Sequence, residues 1–131
     1  PELLETLDTR RYVPVIAPLG VSKGGQTYNI NADYVASAVA AELKAEKLIL
    51  LTDVAGVLDN DGNRLTGLPT KQVDEHIDKG VNAGGMIPKV KCCLEAIDSG
   101  VHFSHIIDGR TPHSLLLELL TDKGVGTLIR S

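Results

Sequence analysis

Apolar positions along this chain follow two different periods. Leu48 to Leu51 and Val101 to Ile107 are near-continuous aliphatic runs, the pattern of strands covered on both faces in a parallel sheet. Ala32, Val35, Ala36, Val39 and Leu43 recur at i, i+3, i+4, i+7 and i+11, which predicts a helix from Ala32 to Leu43 burying one stripe. Val90, Cys93, Leu94 and Ile97 repeat that spacing behind Pro88, a residue suited to the first turn of a helix. Leu3 to Leu7 reads as the tail of a further helix, and Tyr12 to Gly20 as a buried strand with Pro14 at an end or edge.

The polar breaks punctuate these runs. Ser22-Lys23-Gly24-Gly25 predicts a solvated turn before an extended Gln26 to Ile30, and Asn60-Asp61-Gly62-Asn63 a hairpin joining Val57-Leu58 to Arg64-Leu65. Thr70 is expected to cap a short helix with Val73 and Ile77 inward, ending at Gly80. Thr111-Pro112 should open a last helix rich in leucine, closed by Gly124 before a final strand at Thr127 to Ile129. Strands alternating with helices predict a three-layer α/β/α sandwich with a mainly parallel sheet, without internal repeats.

Composition narrows the function. The 131 residues include 43% hydrophobic ones, enough for a substantial core. Thirteen basic against 17 acidic side chains give a net charge of -4 with no basic cluster, so nucleic acid is not an expected partner. The apolar runs are too short to span a bilayer, no signal-peptide pattern precedes them, and a soluble, cytoplasmic protein is expected. Cys92 and Cys93 are adjacent, not spaced as metal or redox ligands, and are expected to be packing residues. Pro1 follows no Met, and a fragment of a longer chain is expected.

Candidate chemistry lies at the junctions. In Tyr28-Asn-Ile-Asn-Ala-Asp33, Asn31 fits an N-cap and Asp33 sits where the helix dipole favours negative charge, leaving Asn29 unexplained. Thr52, Asp53 and Gly56 follow an aliphatic strand, where ligands of open α/β sheets bind, although an ordinary loop aspartate reads the same way. Asn82-Ala-Gly-Gly-Met-Ile-Pro-Lys-Val90 leads a glycine-rich loop into a helix and places Lys89 in its first turn, against the dipole. A nearby anion would resolve that conflict; a lysine extended into water is the alternative. Glu118 stands alone among leucines, as acids at the edge of an exposed stripe do.

In this order, Tyr28-Asn-Ile-Asn-Ala-Asp33, Leu50-Leu-Thr-Asp-Val54 with Gly56-Val-Leu58, Gly84-Gly-Met-Ile-Pro-Lys-Val90, and Ile106-Ile-Asp-Gly-Arg-Thr-Pro-His-Ser-Leu-Leu-Leu-Glu118 resemble the carboxyl-terminal half of acetylglutamate kinases, in the amino acid kinase family. The likeness runs from about Tyr12 to Arg130. It implies transfer of phosphate from ATP, with Mg²⁺, to the side-chain carboxylate of N-acetyl-L-glutamate, the second step of arginine biosynthesis. By position it implies that Asn29 and Asn31 serve substrate binding, Asp33 organises catalytic lysines, and Lys89 is one of those lysines. Thr52, Asp53, Gly56, Gly85 and Met86, with Lys89, become nucleotide-binding residues, and no resident metal site is implied. Residues 1–33 would close the acyl-amino-acid lobe and 34–131 would form the nucleotide lobe. Arginine-inhibited members bind arginine through a histidine, a glutamate and a glycine, here His105, Glu118 and Gly124. A homo-oligomer and a PII-type regulator are further partners of that group. The family's amino-terminal glycine-rich loop and second lysine have no counterpart here, so the 131 residues alone are expected to be inactive. Two other readings stay open: a different amino acid kinase, acting on carbamate, aspartate, glutamate or UMP, or a non-catalytic arginine- or nucleotide-sensing module.

Overall fold

Helix α1 (Glu2–Thr9) opens the chain and leads through irregular backbone into a small antiparallel hairpin, β1 (Leu19–Val21) and β2 (Thr27–Asn29). The structure, a computed structural model, describes residues 1–73, 85–122 and 124–131. Helix α2 (Ala32–Glu42) follows the hairpin and feeds β3 (Lys47–Thr52). After β4 (Gly67–Pro69) come α3 (Met86–Asp98), β5 (Phe103–Asp108), α4 (Ser114–Leu120) and β6 (Gly126–Arg130). Residues 70–73 are helical with Val73 fully buried; the remainder of that predicted helix, with Ile77 and Gly80, and Asn82 to Gly84 of the glycine loop lie outside the described residues.

Among the described residues the main sheet runs β3-β5-β6-β4. β3 pairs with β5 and β4 with β6 in parallel, while β5 and β6 are antiparallel, so the sheet is mixed but mostly parallel. Successive side chains on a strand point to opposite faces. Ser104 donates to the Cys93 carbonyl of α3 and His105 meets Glu118 of α4, so the sheet separates α3 from α4 and the molecule has the three predicted layers. Helices α2 and α3 lie together, joined where the buried Ser37 hydroxyl donates to the Cys92 carbonyl at 2.9 Å.

The core lies between these helices and the sheet: Leu48, Leu50, Val90, Ala96, Ile106 and Ile129 are buried, with both cysteines fully enclosed. Burial pushes the Cys93 thiol up to about 12, which suits packing rather than chemistry. Thr127 ties the 57–65 hairpin to β6, accepting from the Val57 amide at 2.9 Å and donating to the Leu65 carbonyl. That hairpin closes through a single Leu58–Arg64 bridge.

Three sequence expectations change. Residues 12–17 form no strand: Val13 and Val15 are 88% and 95% exposed, and Pro14 has no N–H to give a ladder. Consequently the stripe Ala32, Val35 and Val39 of α2 borders an open apolar groove of about 370 Å³ shared with Pro14, Ile16 and Pro18. The face α2 buries carries Ser37 and Ala40 instead. The last helix starts at Ser114, two residues beyond Pro112, because His113 adopts a left-handed φ of 59°.

Candidate functional site at the carboxyl edge of the sheet

Each helix that precedes a strand runs back across the sheet, so its amino terminus lies beside that strand's carboxyl end. α2 ends at Glu42 just before β3, and α3 ends at Asp98 just before β5. Asp33 at the start of α2, Lys89 near the start of α3, Thr52-Asp53 after β3 and Asp108 at the end of β5 therefore share one edge. Two hydrogen bonds fix this arrangement: Lys89 to Asp33, and the Gly109 amide to the Thr52 carbonyl at 2.8 Å.

The side chain of Asn31 accepts from the Asp33 amide at 2.8 Å, so the predicted cap forms and presents Asp33 in the first turn. Lys89 Nζ donates to both oxygens of Asp33, at 3.0 and 2.8 Å. This carboxylate is the anion that Lys89's position against the helix dipole called for. The two side chains remain 21% and 19% exposed, so the pair is accessible to a ligand. Charge-assisted contacts of this kind fix an ammonium group in space.

Asn29 is exposed on β2, two residues before the cap. Thr52 donates to Asp53 at 3.3 Å, and Asp53 is exposed. Gly85 is the N-cap residue of α3 and Met86 its first residue, partly buried against the core. Gly56 has a packing reason for being glycine: its φ is +133°, and a Cβ would lie 2.8 Å from Thr127 Oγ1.

The Ile106 to Glu118 stretch carried part of the resemblance, but sequence reading gave the Asp108–Arg110 pair within it no role. Arg110 Nε and Nη2 donate to the two Asp108 oxygens at 2.9 and 2.8 Å, and the Arg110 amide adds a third bond. These contacts hold the Asp108 carboxyl down to about 2, with the guanidinium the largest cause. Opposite charges two residues apart around a glycine were the available signal.

On the opposite face, His105, Glu118 and Gly124 come together. His105 Nδ1 lies 2.7 Å from Glu118 Oε1, the Val125 amide donates to Oε2, and a Cβ on Gly124 would approach Oε2 at 3.2 Å. Glu118 is not at the rim of a leucine stripe: its side chain is 6% exposed, while Leu116 and Leu120 face outward. Burial raises its pKa, but the Val125 amide and His105 outweigh that, leaving it lowered. A cavity of about 420 Å³ opens there, also bordered by Thr66, Thr121 and Asp122. His105 Nε2 is buried and has no hydrogen-bond partner among the described residues.

Among the described residues no helix is long and apolar enough to cross a membrane, and no group of three or more His, Cys, Asp or Glu could hold a metal ion.

Comparison with known proteins supplies the frame for this geometry. The sequence profile of the amino acid kinase family matches residues 1–108. Acetylglutamate kinase from Nitrosomonas eutropha is 58% identical over 131 residues, which are 100% of this chain and 44% of that protein. N-acetylglutamate synthase from Neisseria gonorrhoeae, solved with coenzyme A and L-arginine, superposes with a TM-score of 0.92 at 31% identity, covering 98% of this chain and 30% of that one. A structure from Streptococcus mutans UA159 superposes at 0.81 with 43% identity, covering 98% of this chain and 47% of that one. The chain thus spans less than half the length of the curated relative it matches.

Proposed function

This chain belongs to the amino acid kinase family, and from that premise we propose that it supplies the nucleotide side of an enzyme transferring phosphate from ATP to the side-chain carboxylate of N-acetyl-L-glutamate. The observation that carries this reading is the two-oxygen grip of Asp33 on Lys89 at the carboxyl edge, together with 58% identity to an acetylglutamate kinase across the whole chain. In this role Lys89 neutralises charge on the transferring phosphoryl and the leaving diphosphate, and Asp33 fixes where that ammonium stands. Asn29 and Asn31 lie on the side facing the acyl amino acid. Thr52, Asp53, Gly56, Gly85 and Met86 border the nucleotide. A carboxylate nucleophile is already ionised at neutral pH, so the reaction needs no general base. Mg²⁺ arrives on the nucleotide, as suits an ion that keeps water and phosphate oxygens around it.

In the same reading residues 1–33, which include the β1–β2 hairpin, close the acyl-amino-acid lobe and residues 34–131 form the nucleotide lobe. Exposed Val13, Val15, Leu19 and Val21 support a surface that further protein completes. The chain alone should therefore bind MgATP weakly and turn nothing over. Calorimetry with MgATP tests the first point; acetylglutamate-dependent ADP release from the purified 131 residues would overturn the second.

A second reading is favoured by the likeness to the gonococcal synthase solved with L-arginine and by the His105–Glu118 cavity. In it L-arginine, the end product of the pathway, occupies that cavity and inhibits, its guanidinium held by acidic side chains. Glu118 already serves His105 and the Val125 amide, so binding requires one of them to yield, or recruits Asp122 at the rim. Saturable arginine binding without any ATP binding would mark the chain as a sensing module instead of part of a kinase.

A further inference from the structure

Among the described residues Arg110 is a second cation at the carboxyl edge beside Lys89, and the reaction as proposed gives it no task. Its partner is strongly asymmetric: the Asp108 side chain is 14% exposed and that of Arg110 65%. The acid is thus the anchor and the guanidinium the presented group. A guanidinium has five N–H donors in a rigid fork. Nε and one Nη2 hydrogen are spent on Asp108, and among the described residues the Nη1 edge meets no acceptor. An exposed ion pair by itself contributes little to stability; what this one does is hold the fork in a single orientation.

The location adds to the case. Gly109, between the paired residues, packs against Leu51 and donates to the Thr52 carbonyl, so the fork is tied to the end of β3 beside Asp53. The Asp108 carboxylate, and to a smaller extent Asp53, raise the Arg110 pKa above its ordinary value. Asp33, Asp53 and Asp108 line this edge against Lys89 and Arg110, and Lys89 is already engaged by Asp33. A polyphosphate entering here meets an excess of carboxylates unless the second cation faces it.

We propose that Arg110 is a nucleotide-binding residue, its guanidinium locked by Asp108 so that the free edge meets a phosphate oxygen of the bound nucleotide beside Thr52 and Asp53. Asp108 acts through Arg110 and is a positioning residue. This rests on the nucleotide reading above. The test is equilibrium titration of the chain with MgATP and with adenosine, in unsubstituted, Arg110→Ala, Arg110→Lys and Arg110→Ala/Asp108→Asn forms. Arg110→Ala should weaken MgATP about tenfold, flatten its ionic-strength dependence and leave adenosine affinity unchanged. Arg110→Lys keeps the charge without the fork and should fall between. The double variant Arg110→Ala/Asp108→Asn should bind no worse than Arg110→Ala alone. Unchanged MgATP affinity in Arg110→Ala, or equal weakening of MgATP and adenosine, overturns the proposal while leaving the nucleotide reading intact. Failure of the unsubstituted chain to bind either ligand overturns both.

Discussion

Among single side chains, Asp33 and Lys89 carry the most weight, and their pairing separates a structural role from a functional one. Both are about one-fifth exposed, so breaking the pair should cost the fold only about 1 kcal/mol or less. In a full-length enzyme containing this segment, Asp33→Ala should instead lower kcat by about 100-fold or more, because the ammonium loses its fixed position; steady-state kinetics beside urea unfolding makes the comparison, and equal losses would reduce Asp33 to a helix-cap residue. Asp108 makes a pH prediction. Arg110 holds it at about 2 in the folded state, below the ordinary unfolded value near ~3.9. Its contribution is therefore complete above the unfolded value and is lost as pH falls through about 2. Urea midpoints measured from pH 5 to pH 2 should fall less steeply in Asp108→Asn than in the unsubstituted chain. Much of this was legible beforehand: the Asn31 cap and the dipole conflict at Lys89 are local, so sequence displays them. Which anion answers Lys89 is not a local signal, since Asp33 is 56 residues away, and only the family resemblance pointed to it. The reading of Glu118 as the edge of an exposed stripe failed for a related reason, because the burial of an acid by a histidine on another element leaves no local trace; the resemblance alone set it with His105 and Gly124.

Elements succeed or fail as their local preferences agree with the tertiary packing. Uninterrupted aliphatic runs gave β3 and β5, and the Asn60 to Asn63 turn gave its hairpin, because length and turn chemistry suffice there. The run from Tyr12 to Gly20 has the right composition, but its prolines withhold ladder donors and only Leu19–Val21 pairs. The α2 stripe shows the limit of periodicity: spacing identifies an apolar face, while packing on α3 selects the neighbouring face with Ser37 and Ala40. The hairpin at 57–65 hangs on Thr127, which is fully buried. Thr127→Val keeps the shape and leaves the Val57 amide and Leu65 carbonyl without their partner. Buried polar groups orphaned in this way cost about 1–3 kcal/mol, and thermal unfolding should show a lowered midpoint with unchanged far-UV circular dichroism. A variant as stable as the parent would mean that water replaces the hydroxyl.

For the whole molecule, the alternation of strands and helices announced the layered α/β class, whereas the antiparallel join of β5 and β6 had no signature, since strand direction leaves periodicity untouched. That join makes β5 an interior strand, paired on both sides. One end of it reaches Asp108 at the carboxyl edge of the sheet, and three residues earlier His105 turns to the opposite face and the Glu118 cavity. At strand rise the two lie about 10 Å apart along a single hydrogen-bonded rod. The two faces of the sheet thus share one strand, and whether binding at one is felt at the other is open to measurement. Coupling between binding sites is reciprocal: by whatever factor L-arginine alters the affinity for MgATP, MgATP must alter that for L-arginine, and a thermodynamic cycle by calorimetry measures both. Glu118→Gln should shrink that factor toward one without touching the carboxyl edge of the sheet, which would make β5 a lever as well as the middle of the sheet.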